Sequence, residues 1–127
     1  MNAKEDYLRV IYELHEEAGV RSVEIANELR ISKASVSEML RKLAKEKLVK
    51  MNNYSRVKLT KKGEKIAEQL YRKHDFIKEF LTLIGHEDEE IAEHAHVLEH
   101  ALHDSSVDKL KAFFKMPEKK AAPSYVG

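Results

Sequence analysis

One stretch of the chain concentrates side chains that could bind a metal ion. Residues 94–103 read HAHVLEHALH and hold four of the seven histidines. If this stretch is helical, His96, Glu99, His100 and His103 follow the spacing i, i+3, i+4 and i+7 and share one face. Two imidazoles one turn apart, with a carboxylate beside them, can offer three ligand atoms to one divalent cation. The spacing predicts a metal site, although a merely polar helix flank would have the same pattern.

The same five residues permit a second chemistry. The sequence from His96 to His100 matches H-x-x-E-H, in which Glu99 would be the general base of a zinc hydrolase. So short a motif arises easily by chance in a helix rich in His and Glu. The chain has no cysteine, which excludes a thiolate metal site, a disulfide and a cysteine nucleophile. We expect a protein that is not an enzyme and has no catalytic residues, with the hydrolase as a minor alternative.

Two further candidate ligands are ambiguous from their spacing. His74 falls on the apolar stripe of a predicted helix, between Leu70 and Ile77, where a lone histidine is more often a core residue than a ligand. Asp6 lies in the first turn of the first predicted helix, where a carboxylate also interacts favourably with the helix dipole. The remaining histidines lie off these stripes and are expected at the surface: His15, His86 and His94.

The near-neutral total charge hides two oppositely charged segments. The chain has 127 residues, with 23 Lys and Arg against 22 Asp and Glu. Residues 30–62 hold eleven Lys or Arg and two acids, whereas residues 75–104 hold nine acids, one Lys and five histidines. A basic segment is typical of a phosphate-binding surface. The composition therefore predicts a basic module, which on charge alone could be a nucleic-acid-binding surface or a solvated helical face, followed by an acidic, histidine-rich module.

The basic segment has the pattern of a winged helix-turn-helix. Helices are predicted at 3–18, ended by Gly19, at about 22–29 with Ser22 as N-cap, and from the N-cap Ser32 to about 46. Strands at 48–51 and 56–59 would form a hairpin. The predicted recognition helix and wing present the candidate DNA-binding residues Ser32, Lys33, Ala34, Ser35, Ser37, Glu38, Arg41, Lys42, Asn53, Tyr54 and Arg56.

The rest of the chain is predicted to be helical. Thr60 would cap a helix reaching about residue 84, with Ile66 and Ile84 on its apolar stripe, and further helices are predicted at 88–102 and 106–114. The predicted fold is mainly α: a winged-helix DNA-binding domain at 1–71, a helical metal-binding and dimerisation domain at 72–115, and a flexible tail at 116–127. Candidate dimer contacts, which could equally complete the monomer core, are Phe76, Phe80, Leu83, Phe113 and Phe114.

Several segments together resemble a known family. They are residues 5–14 (EDYLRVIYEL), the helix-turn-helix at 23–43, and the short motifs RKH, LTLIG and LEH at 72–74, 81–85 and 98–100. In order and spacing they resemble the diphtheria toxin repressor and manganese transport regulator family, over about residues 3–115. The resemblance implies a metal-activated transcriptional repressor that controls metal-ion uptake genes. It also implies the short branch of the family, which lacks the SH3-like domain.

The resemblance also implies a ligand set. Its primary site would comprise Asp6, His96, Glu99 and His100. His96 stands where the family usually has Cys or a carboxylate. His74 matches a ligand of the family's second site, but Arg9, Lys78 and Ala92 depart from that site's pattern, so one complete site is expected. The donor set suits Mn(II), Fe(II), Co(II) or Zn(II). The resemblance favours Fe(II) or Mn(II).

These observations predict how the protein would act. A homodimer would bind a palindromic operator in double-stranded DNA, with half-sites about 34 Å apart. One ion held by Asp6 and by the histidine-bearing helix would set the orientation of the recognition helices. No apolar run approaches the roughly 18 residues of a membrane span, so we expect a cytoplasmic protein with no membrane or small-molecule partner. A winged-helix regulator that needs no metal is the main alternative.

Overall fold

The computed structural model describes residues 4–52 and 55–114. In chain order the elements are α1 (Lys4–Glu13), β1 (Val20–Arg21), α2 (Ser22–Leu29), α3 (Lys33–Lys45), β2 (Val49–Met51), β3 (Arg56–Leu59), α4 (Lys61–Leu83), α5 (Asp88–Ala101) and α6 (Asp104–Phe114). The described residues up to Leu70 form one compact unit and those from Tyr71 a second. The mainly α prediction with a winged helix-turn-helix is confirmed. Two predicted wing residues, Asn53 and Tyr54, and the predicted tail lie outside the described residues.

The first unit packs three helices against a small sheet. The strand order is β1-β3-β2, and both pairings are antiparallel, with Val20 opposite Val57 and Val49 opposite Leu59. Tightly buried side chains from α1, α2 and α3 form its core, among them Ile11, Tyr12, Ile25, Val36 and Leu43. In the described part of the chain, no helix is long and apolar enough to cross a membrane.

Two predicted helix caps are confirmed. The Ser32 hydroxyl accepts a hydrogen bond from the backbone N–H of Ser35 at 3.1 Å, which begins α3. The Thr60 hydroxyl accepts from the N–H of Gly63 at 3.1 Å and donates to the carbonyl of Lys47 at 2.7 Å. Each cap satisfies a donor that the first helical turn leaves without an intrahelical partner. Thr60 also fastens the start of α4 to the loop that follows α3.

The prediction for the start of the chain was wrong in three details. Helix α1 ends at Glu13 rather than near residue 18, and β1 was missed because a two-residue strand has no detectable periodicity. Ser22 is the first residue of α2, and the N–H of Arg21 before it donates to the Glu24 carboxylate at 3.4 Å. Gly19 has φ +97°, and a Cβ there would lie 2.9 Å from the Cβ of Arg56. The absence of a side chain at Gly19 therefore allows the backbone to approach β3 closely, and Gly19 does not end a helix as predicted.

Burial also corrects several predicted faces. Ile66 and Ile84 are exposed by 38% and 53%, whereas Ala67 is fully buried, so α4 presents a smaller residue inward than its apolar stripe predicted. Helix α6 begins at Asp104, two residues before the predicted start. His15, expected at the surface, is half-buried. Burial, with a smaller contribution from the charge of Lys58, lowers the pKa of its imidazole.

The second unit has a separate core. It is built from Phe76, Ile77, Leu81, Ile91, Ala95 and Val107, contributed by α4, α5 and α6. The Lys111 ammonium lies 5.5 Å from the centroid of the Phe76 ring. Phe76 is thus a core residue rather than a dimer contact. Of the other candidates, Leu83 and Phe113 are exposed by 61% and 78%.

Substitution of Gly63 by Ala should destabilise the first unit. A Cβ at Gly63 would lie 2.0 Å from the carbonyl oxygen of Leu48. Helix propensity alone would favour Ala by about 1 kcal/mol, but overpacking against a backbone atom costs about 1–3 kcal/mol. We expect a lower midpoint of thermal unfolding for Gly63→Ala and little change for the exposed Lys65→Ala. A higher midpoint for Gly63→Ala would contradict this packing.

Candidate metal centre and nucleic-acid interface

The core of the second unit positions the histidine-bearing helix. Ile91 and Ala95 are buried on one face of α5 and pack in the cluster with α4 and α6. At the beginning of α5, the N–H of Glu87 donates to the Glu90 carboxylate at 3.4 Å. The rotation of α5 about its axis is therefore set by its buried face. The flank that carries His96, Glu99 and His100 is fixed with it.

The predicted ligand triad of α5 converges. His96, Glu99 and His100 each offer one ligand atom, and these atoms lie within 4.8 Å of one another. The rings of His96 and His100 are 5.0 Å apart between centroids. His96 and Glu99 are half-buried and His100 is exposed. Two nitrogen donors and a carboxylate at this separation can contact one divalent cation, so the chemistry of the group fits a transition metal.

His74 has a partner that its spacing did not reveal. Its Nδ1 is hydrogen-bonded to Oε2 of Glu99, and the two side chains are exposed by only 14% and 9%. A carboxylate can only accept, so the Nδ1–H donates. Such contacts orient a ligating carboxylate and fix its neighbour's tautomer. His74 is therefore neither an isolated core histidine nor remote from the triad.

Lys73, next to His74, makes two contacts with residues near the end of α5 that the sequence did not predict. Its ammonium donates to the carbonyl of Leu102 at 2.6 Å and lies 3.3 Å from the carboxylate of Asp104. It thereby satisfies a carbonyl at the end of α5 and meets the first residue of α6. Only its place in the RKH motif of residues 72–74 could have signalled a role. Adjacent residues of α4 thus hold α5 at its last turn and at Glu99.

Asp6 belongs to the first unit and is strongly buried. It is exposed by 1%, which makes it the one fully buried carboxylate of the described residues. Burial first, and then the nearby charges of Asp6 and Glu38, raise the pKa of Tyr7. A buried carboxylate must be compensated by hydrogen bonds or by a cation. The sequence had left the role of Asp6 open, and its burial marks it as more than a surface charge.

The predicted recognition helix is available to a partner. All its candidate DNA-binding residues are exposed, from Ser32 and Lys33 at its start to Arg41 and Lys42 two turns later. The Ser32 and Ser35 hydroxyls are bonded to each other at 3.0 Å. Small and hydroxyl side chains at the beginning of the helix permit close approach to phosphates and base edges. The basic residues follow on the same exposed surface.

Arg56 behaves differently from the other candidate DNA contacts. Its guanidinium donates to the carbonyl of Gly19 at 2.9 Å and lies 4.0 Å from the carboxylate of Glu16. The side-chain amide of Asn52 also donates a hydrogen bond to the carbonyl of Ala18 at 3.2 Å. Both contacts tie the wing to the segment that precedes β1. Arg56 therefore has a structural task in the first unit, whatever it does toward DNA.

Two arginine variants should separate structure from binding. Arg56→Ala should lower the free energy of unfolding by about 1–3 kcal/mol, because it leaves the Gly19 carbonyl without its charged donor. Arg41→Ala should leave stability within about 0.5 kcal/mol, because Arg41 is exposed. Urea unfolding measures the first effect, and the salt dependence of DNA binding measures the second, with the slope reduced by about one in Arg41→Ala. Equal stability of the two variants would refute the structural role of Arg56.

Replacing Glu99 by Gln tests the triad directly. The amide keeps the shape of the side chain but removes the negative charge that faces the two imidazoles. Binding of Mn(II), measured by calorimetry, should weaken at least about tenfold. Loss of even a residue that only hydrogen-bonds to a metal ligand lowers metal affinity by about that factor. Glu93→Gln changes an exposed carboxylate of the same helix and should bind as the unaltered chain does. Equal losses in both variants would show that only the general acidity of the segment matters.

Comparison with known proteins places this architecture. Residues 1–57 match the model of the iron dependent repressor N-terminal DNA binding domain, and residues 60–123 match that of the iron dependent repressor metal binding and dimerisation domain. The HTH-type transcriptional regulator MntR of Oceanobacillus iheyensis is 38% identical over 107 residues, 84% of this chain and 73% of that protein.

Solved structures agree. The manganese regulator SloR superimposes with a TM-score of 0.82 at 37% identity over 99% of this chain, and ScaR with bound Zn²⁺ does so with a TM-score of 0.74 at 37% identity over 99%. The chain spans 63% and 60% of the lengths of those two structures. The predicted resemblance is confirmed: the chain belongs to the iron-dependent repressor family of metal-dependent transcriptional regulators, which are not enzymes.

Proposed function

We propose that this protein is a cytoplasmic, metal-responsive repressor that binds a palindromic operator as a homodimer and controls metal-ion uptake genes. The observation that carries the proposal is the convergence of His96, Glu99 and His100 within 4.8 Å, in a chain that also exposes a basic recognition helix. Neither feature alone selects this function. A transition-metal triad without a recognition helix could belong to a metal-storage protein. A recognition helix without the triad could belong to a regulator that binds DNA whether or not metal is present.

We infer that Asp6 supplies the fourth ligand beside His96, Glu99 and His100. Its burial supports this, because a carboxylate with 1% exposure is stabilised by a cation more than a solvated one is. Asp6 also matches a ligand position in the family's primary site, which supports the same inference. His74 is assigned to orient Glu99 through their hydrogen bond, and direct ligation by His74 is the alternative. The second site of the family remains incomplete in this proposal.

The donor set restricts the ion. Two imidazoles and two carboxylates without a thiolate suit Fe(II), Mn(II), Co(II) and Zn(II), and intrinsic affinity would favour Zn(II). We propose Fe(II) or Mn(II) as the regulatory ion. That choice rests on family membership and on relatives such as the manganese regulator SloR. When bound, the ion would supply the positive charge that balances Asp6 and Glu99.

The mechanism follows from where the ligands lie in the sequence. Asp6 is on α1 of the DNA-binding unit, and the other three are on α5 of the unit with the dimerisation domain. If all four bind one ion, α1 is held to α5 and the two recognition helices of a dimer acquire a fixed separation. In such an arrangement without the ion, the carboxylates of Asp6 and Glu99 would repel each other. A coupling of about 1–3 kcal/mol suffices for such a switch, and DNA must tighten metal binding by the same factor.

Dimerisation has candidate contacts on the second unit. Leu83 and Phe113 are exposed apolar side chains, and Phe114 packs edge-on against Phe80 with ring centroids 5.4 Å apart. The exposed Phe113 also packs edge-on against Phe114, with ring centroids 5.1 Å apart, and such a cluster of exposed apolar side chains is typical of a subunit interface. A dimer would place two recognition helices on half-sites about 34 Å apart.

Removal of the Asp6 charge should abolish metal activation. Asp6→Asn keeps the size of the buried side chain, so the fold should persist, as circular dichroism would show. Metal-dependent DNA binding in a gel-shift titration should be lost, while Glu5→Gln, an exposed neighbour, should behave as the unaltered chain. Unchanged metal activation in folded Asp6→Asn would refute the bridging role.

The function itself is tested by DNA binding titrated separately with Fe(II), Mn(II) and Zn(II). Binding to a palindromic operator should appear with the regulatory ion, disappear on chelation, and weaken steeply with salt. Binding that survives chelation would identify a metal-independent winged-helix regulator.

A further inference from the structure

The recognition helix carries a single acidic residue. Helix α3 reads KASVSEMLRKLAK from Lys33 to Lys45, in which Glu38 is the only Asp or Glu beside four Lys or Arg. Its side chain is exposed. A carboxylate on a surface that meets a polyanion opposes the attraction that the basic residues around it provide. A favourable partner for Glu38 in a DNA complex would therefore be a group other than phosphate.

The buried face of α3 directs Glu38 away from the protein. The buried residues of this helix are Val36, Leu40 and Leu43. At 3.6 residues per turn, Glu38 lies about 190° around the helix from the centre of that face. Ala34, one turn before it, is too small to hold the helix away from a partner. Because the first turns of a recognition helix contact base edges in the major groove, Glu38 is positioned toward bases rather than toward the flanking phosphates.

The Glu38 carboxylate makes no hydrogen bond or ion pair within residues 4–52 and 55–114. Arg41 and Lys42 follow it at i+3 and i+4, a spacing that favours ion pairs on a helix, yet neither is paired with it in the structure. The side chain borders an open groove of about 420 Å³ between α1, the end of α2 and α3. Within this part of the chain, its oxygens therefore remain available to accept hydrogen bonds from a ligand.

Base chemistry restricts what a carboxylate can bind in the major groove. A carboxylate only accepts hydrogen bonds, and guanine and thymine present only acceptors there or an acceptor and a methyl group. Adenine presents the N6 amino group, but its acceptor N7 lies beside that group and repels a carboxylate. Cytosine presents the N4 amino group with no acceptor of its own next to it. A carboxylate therefore favours cytosine over the other three bases.

We propose that Glu38 is a specificity-determining residue, which selects a cytosine at one position of each operator half-site. The inference rests on the proposed function only in requiring that α3 enters the major groove, whichever ion activates binding. The N4 amino group of cytosine would donate a charge-assisted hydrogen bond to the carboxylate. Any other base would leave the carboxylate desolvated and unsatisfied. Glu38 would thus lower the affinity for DNA in general and raise the preference for one sequence.

Selection of binding sites from random duplex DNA tests the proposal in the full chain, with Mn(II), with Fe(II) and with a chelator. The unaltered chain should select a C·G pair at one symmetric position of both half-sites, and replacing that pair should weaken binding at least about fivefold. Glu38→Gln should select A·T there, because a glutamine amide binds N6 and N7 of adenine. Glu38→Ala should show no preference there and should bind random-sequence DNA more tightly than the unaltered chain.

Glu28→Gln is the matched control, because it removes the same charge from an exposed residue of α2. It should keep the preference for cytosine. A base preference that is the same in the unaltered chain and in Glu38→Ala, or that changes equally in Glu28→Gln, would overturn the assignment while leaving the proposed function intact. If the unaltered chain selects no DNA with either ion or with the chelator, the proposed function and this inference fail together. Circular dichroism confirms that each variant is folded.

Discussion

The interaction on which this molecule depends is the approach of two imidazoles and a carboxylate on one flank of a helix. Helical geometry brings His96, Glu99 and His100 together, and the buried face formed by Ile91 and Ala95 prevents α5 from turning them away. Donors placed so close are best satisfied by a cation. The proposed regulatory function would therefore follow from a local constraint, which the rest of the chain connects to a DNA-binding unit.

Helix α4 gives that constraint its rigidity. Lys73 binds the Leu102 carbonyl and His74 binds Glu99, so two consecutive residues of α4 contact α5 at different points. A metal ligand held by its own hydrogen bonds loses less freedom when an ion binds. The acidic residues of this part of the chain therefore do more than attract cations. Two of them, Glu99 and Asp104, are contacted by His74 and Lys73 of the neighbouring helix.

Much of this could be predicted from the sequence, for reasons that differ by residue. The caps at Ser32 and Thr60 were predictable because capping depends on local residue types, and the triad was predictable because helical periodicity depends only on spacing. The partner of His74, the tie of Arg56 to Gly19 and the edge-to-face contact of His86 with His94 were not, since each depends on tertiary packing. The two-residue strand β1 was missed because periodicity needs a longer segment.

The bond between His74 and Glu99 has a consequence for denticity. Because Nδ1–H of His74 donates to Oε2 of Glu99, one lone pair of that oxygen is engaged, and the carboxylate would favour holding an ion through one oxygen over chelating it through both. Large alkaline-earth ions favour six to eight oxygen ligands, often with a carboxylate contributing both. A histidine that need never touch the ion would thus favour a transition metal over calcium.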